Sequence, residues 1–139
     1  VHEFGDVENA LKAWVSATGV GPLVTRPDLG RNVYLAMPAS SPLPAVVITR
    51  VGGGPIARKE LPEDHARISF DIWGRSRAEC AAILARLLSE LDWLGVSGGA
   101  VVGDVTLLTA DVLSVRWLPD PDSDTPRHVV DALITTLAG

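Results

Sequence analysis

Four aspartates are the first residues whose spacing could do chemistry. Asp120, Asp122 and Asp124 alternate along the chain, and Asp131 follows eleven residues after Asp120. Carboxylates at the first, third, fifth and twelfth positions of a loop are how a protein rings a hard cation such as calcium. The rest of such a loop does not match. Its sixth position needs a glycine for the turn and holds Thr125, and Pro121 and Pro126 stiffen the stretch. The better reading is a solvated turn between two strands.

Other chemical candidates fail in the same way. Gly52-Gly53-Gly54 could cradle a phosphate only if a helix N-terminus followed, but Pro55 and a charged stretch follow instead. His2, His65 and His128 are scattered, with no partner at metal-ligand spacing. Cys80 falls on an apolar helical stripe, where a cysteine acts as a small buried hydrophobe. No G-x-S-x-G elbow presents a serine nucleophile. The sequence therefore offers no catalytic residue, no cofactor-binding residue and no metal ligand set, and it does not read as an enzyme.

Composition narrows the partners. Ten Arg and two Lys against seventeen acidic residues leave a formal charge of −5. The longest basic run is Arg58-Lys59, so clustered charge for sequence-specific nucleic-acid binding is missing. The most apolar helical stretch, near 78–94, is broken by Arg86, Glu90 and Asp92, so no membrane span is expected. Residues 1–20 lack the basic cap and apolar run of a secretory signal.

The elements that would position these residues follow from periodicity. Asp6 caps a predicted amphipathic helix at 7–18, with Val7, Ala10, Leu11, Trp14 and Val15 on one side. A short extended piece at 32–36 lies in a proline-interrupted loop, 20–43. Ala45–Val51 is a β-branched strand, which Gly52-Gly53-Gly54-Pro55 should end. A long charged loop at 52–65 should lead to an alternating strand at 66–73. Ser76 and Glu79 form a capping box for a helix at 77–94. Residues 100–118 read as extended, with a break near Gly103-Asp104, and 127–137 as a last strand. The expected fold is α+β: a single domain over 1–139, with a mainly antiparallel four-stranded sheet and two helices packed on one face. The late strands carry apolar residues on both faces, which points to cover by a loop or another subunit. Trp73, near the end of its strand, and Trp117, beside a turn, are the types of residue that interfaces favour.

The whole arrangement resembles the tail terminator proteins of long-tailed bacteriophages, especially those of actinobacterial phages. The likeness rests on Asp6-Val7-Glu8 opening a Trp-containing helix and on Val33-Tyr34-Leu35. Further along are the stretch from Pro44 to Pro55, and Phe70-Asp-Ile-Trp-Gly74 followed by Ser76-Arg-Ala-Glu79. Trp117-Leu-Pro-Asp-Pro121 and Pro126-Arg-His-Val129 complete it, so that it spans roughly 6–137. The resemblance implies a structural protein that forms a ring, typically a hexamer, on the end of the tail tube. Such a ring stops tube polymerisation and joins the tail to the head connector. Its partners would be further copies of itself, the major tail tube protein and a connector or stopper protein, in virions assembled in the bacterial cytoplasm. No cofactor comes with the family. Candidate contact residues are Arg58, Lys59, Glu60, Glu63 and Asp64 in the charged loop, Asp120, Asp122 and Asp124 in the turn, and Trp73 and Trp117. Rival readings are another neck component, such as a tail-completion or head-closure protein, and a small ligand-binding or enzymatic domain.

Overall fold

The computed structural model describes residues 6–26, 30–36, 43–56 and 63–137. Helix α1 (Val7–Ala17) starts where Asp6 accepts a hydrogen bond from the Asn9 backbone N–H at 3.1 Å. That bond satisfies a donor that the first helical turn leaves without a partner. Val7, Ala10, Leu11 and Val15 are buried along one side of the helix. A single turn, α2 (Val20–Leu23), follows, and β1 (Thr25–Arg26) pairs with β2 (Gly30–Arg31). β3 (Val33–Tyr34) runs parallel to the long strand β4 (Ala45–Ile56).

β4 does not stop at the glycines, and β5 (Glu63–Trp73) begins at Glu63 rather than Ala66. The glycines themselves are the reason. A bulge between Arg50 and Gly52 shifts the pairing, and Gly53 has φ 79°. A Cβ on Gly53 would lie 1.9 Å from the His65 carbonyl oxygen, so only glycine lets β4 lie this close to β5. The run is a bulged strand rather than an exit, and the expected loop at 52–65 is shorter. Its middle, with Arg58, Lys59 and Glu60, lies outside the described residues.

The capping box opens α3 (Arg77–Val96): Ser76 Oγ accepts from the Glu79 N–H at 3.1 Å. The Glu79 carboxylate turns to Arg75, accepting its backbone N–H at 2.8 Å and its guanidinium at 2.6 Å. Cys80, Ile83, Leu87, Leu91 and Leu94 form the buried stripe. Gly103, at φ 60°, makes the tight turn between β6 (Ala100–Val102) and β7 (Val105–Trp117), and β8 is Arg127–Leu137.

The main sheet has the order β3-β4-β5-β8-β7-β6. The four-stranded expectation is thus corrected to a mixed sheet of six. Its four long strands are antiparallel, but β3 adds a parallel edge and β6 an antiparallel one. β3 falls in the extended piece read at 32–36 and β6 in 100–118 before the break at Gly103-Asp104; what alternation in such short pieces does not reveal is their pairing into the sheet. α1 touches β3 and β4 near one edge and β6 at the other, so the sheet curls around it.

Inward-facing Ala66, Ile68, Phe70 and Ile72 of β5 meet Val46 and Ile48 of β4 and Val130, Ala132 and Ile134 of β8. With the buried stripes of α1 and α3 they form one core. Each fully buried Leu, Ile or Phe in it contributes about 1.5–3 kcal/mol. The outer face differs from the two-sided apolar sheet that the sequence implies. Val47 and Val129 are buried there, but polar pairs run between them. Asp131 accepts from Ser114 at 3.0 Å and Arg116 at 3.4 Å, and Arg127 stands 3.6 Å from Asp71. A run of exposed apolar residues lies elsewhere, on the far half of β7.

Candidate assembly surface

β6 pairs with β7 only through Val105–Leu107. Beyond that point β7 pairs with β8 on one side and, among the described residues, no strand lies on the other. α3 crosses the sheet obliquely. Near its start, Cys80 Sγ donates to the Ile72 carbonyl of β5 at 3.2 Å; near its end, Gly95 lies against Thr109 of β7. The helix ends against β7 near Thr109 and Ala110, and beyond them only Arg77, at its first residue, reaches the strand again, over Trp117. Val112, Leu113, Val115, Trp117 and Leu118 are 37–52 % exposed, most of them near two-fifths. Register places Val112, Val115 and Trp117 on the inner face, opposite Ala132, Val130 and His128. Leu113 is the extra residue of a bulge between Val112 and Ser114.

Both candidate tryptophans sit at this end of the sheet, on opposite faces. Trp117 is on the inner face, with the Arg77 guanidinium 4.7 Å from its ring centre and the His128 ring edge-on at 4.9 Å. Trp73 is on the outer face beneath Arg127, at 4.6 Å. Arg127 is held by the Leu118 carbonyl, which accepts its Nε–H at 2.8 Å. Cations over rings in this way fix the orientation of both.

The charged candidates divide by what holds them. Asp64 is buried, and both its oxygens accept from the Arg50 guanidinium at 2.7 Å. That bond raises the Arg50 pKa, against the lowering effect of burial. Asp64 is therefore withdrawn from the surface of the single chain. Glu63 lies 2.9 Å from His65 Nε2. In the turn, Asp120 accepts from the backbone N–H groups of Asp122 at 2.8 Å and Ser123 at 3.1 Å, which hold its carboxylate below the usual range. Asp122 and Asp124 point to solvent. The four spaced aspartates do not converge: Asp120 shapes the turn, while Asp131 lies within β8 on Ser114 and Arg116.

Cys80 is fully buried, and burial pushes its thiol up, as suits a packing residue. A shallow groove lined by Arg86, Ser89, Glu90 and Trp93 belongs wholly to α3, so it brings no polar groups together from different elements. Sequence reading missed two exposed apolar residues near the end of α3, Trp93 (61 % exposed) and Val96 (70 %); Val101 of β6 (75 %) is exposed too, but on the face of the sheet away from the helix. The only signal was that Trp93 and Val96 fall off the buried stripe.

Three comparisons bear on this geometry. A family model described as "Tail completion protein gp17" matches residues 10–137. No curated protein matches the chain significantly. Among solved structures, a chain of the "Virion of native gene transfer agent (GTA) particle" is similar, with a TM-score of 0.64 and 16 % identity. The match covers 96 % of this chain and 95 % of that one, and at this identity it speaks to the fold.

Proposed function

The chain belongs to the tail completion protein gp17 family, and from that premise we propose that it closes the end of a phage tail tube as a ring of identical subunits. The family is structural rather than enzymatic, and its place is the tail region of the virion. The ring, the halting of tube growth and the joining of tail to head connector are the finer reading. The observation that carries it is the bare half of β7, with Val112, Leu113, Val115, Trp117 and Leu118 exposed together. Contiguous apolar surface of this kind marks an interaction site.

A closed ring needs two different patches on each subunit, one meeting the other around the axis. Among the described residues, two candidates are the exposed far half of β7, and Trp93 with Val96 near the end of α3. We assign them to the two sides of the contact between neighbours. Solvent-facing Asp122 and Asp124, with the Arg58-Lys59-Glu60 stretch and Glu63, are left to meet the tube or the connector. Charge reversal at Arg58 and Lys59 should then impair tail joining while the isolated chain keeps its fold. If such a variant yields normal virions, the loop has no part in joining. A different neck role, such as head closure, would use the same surfaces. It is separated by whether the purified protein stops growth of tail tubes.

A further inference from the structure

We propose that, away from the tail, two copies of this chain pair β7 to β7 across a two-fold axis and join their sheets into one. The inference goes beyond the ring and does not depend on it. Along 110–117 the N–H and C=O groups on the side away from β8 have no strand to meet among the described residues. Natural edges are usually blunted by Pro, by charges, especially Lys, by bulges or by a covering element; this stretch has a bulge and one charge of each sign, which pairing with itself can match. The sequence Ala-Asp-Val-Leu-Ser-Val-Arg-Trp contains neither Pro nor Lys. The opposite side of the sheet is treated differently. There β3 covers Val46 and Val47, and Glu8 of α1 accepts the Arg50 backbone N–H at 3.3 Å.

The occupant is identified by charge and parity. When β7 meets itself antiparallel about Leu113 and Ser114, Asp111 falls opposite Arg116 of the second copy, and Arg116 opposite its Asp111. Val112 falls opposite Val115, and Ala110 opposite Trp117, a small residue beside a large ring. Each opposed pair must share a face. Register with β8 puts Asp111 and Arg116 on the outer face, and Val112, Val115, Ala110 and Trp117 on the inner face. The bulge between Val112 and Ser114 is what makes this work. Without it, residues separated by an odd number of positions would face opposite ways. Opposite charges and β-branched pairs directly across a strand pair each add stability. A copy paired in this way cannot offer the same edge to a ring neighbour, so the pair must part before a ring closes on it.

The test uses cysteines and mass. Val112→Cys and Val115→Cys chains are prepared separately, oxidised alone, and oxidised as a mixture. Opposed positions have Cα atoms about 4.5–5.5 Å apart, within disulfide reach. Because of the bulge, the like positions of two copies lie two ladder steps out of register, with Cα atoms roughly 8 Å apart, beyond disulfide reach. The expected result is a covalent dimer in the mixture and none in either variant alone. Sedimentation of the natural chain should give a dimer, and Asp111→Arg, which sets Arg against Arg116, should weaken it roughly tenfold with the circular dichroism unchanged. Cross-linking of either variant with itself, a monomer at high concentration, a ring of six in place of a pair, or an Asp111→Arg dimer of unchanged strength would each overturn the proposal.

Discussion

Arg77, the first residue of α3, holds its guanidinium carbon 4.7 Å from the centre of the Trp117 ring at the last residue of β7. The contact ties the start of the long helix to the end of the bare strand. It orients a large apolar ring that remains 37 % exposed. Trp117→Ala should therefore cost assembly more than stability. The expected outcome is loss of tube-end binding with a melting temperature within a few degrees of the natural chain.

Breaking the Arg50–Asp64 pair should be asymmetric. Arg50→Ala strands a carboxylate that is 3 % exposed, whereas Asp64→Ala leaves a guanidinium side chain that is 28 % exposed and can turn to water. Losing one partner of a buried pair costs about 3–5 kcal/mol, and the partial exposure of Arg50 favours the lower end. Urea denaturation should find Arg50→Ala more destabilising than Asp64→Ala.

Ser76→Ala should cost about 1 kcal/mol, because the Glu79 N–H loses its acceptor. Gly53→Ala should cost more than that. It puts a Cβ at 1.9 Å from a backbone oxygen in a left-handed conformation. Both are read from thermal unfolding, and the second should also lower hydrogen-exchange protection in β4 and β5.

Stability should depend on pH through His128. Burial lowers its pKa, and the Arg77 charge adds to that; a hydrogen bond with the Arg116 backbone opposes them. Its Nδ1 is buried with no hydrogen-bond partner among the described residues by distance and angle. The folded chain therefore holds the neutral ring, while the unfolded chain takes up a proton near pH 6.5. The contribution is fully present above that value and is lost as pH falls through the lowered folded pKa. His128→Phe should flatten this part of the stability profile between pH 7 and 5.

The helices and most strands were legible because their signals are local. Asp6 and Ser76 announce helix starts, and Ile68, Phe70 and Ile72 alternate strictly. What the sequence hid was relational. Val112 and Val115 look like core residues in a strand of mixed pattern, and only the oblique path of α3 leaves them bare. Asp64 looks like a loop charge until β5 is extended through it and Arg50 is found beside it. Gly53 reads as a strand breaker because its close approach to His65 depends on a partner strand. The family likeness drew on the order of elements and so survived these local errors.

The measurement that bears most directly on the central claim is electron microscopy of growing tail tubes with and without the purified protein. The account predicts a ring of added density at one end of each tube and a halt in lengthening. Tubes that keep growing with bare ends would contradict it.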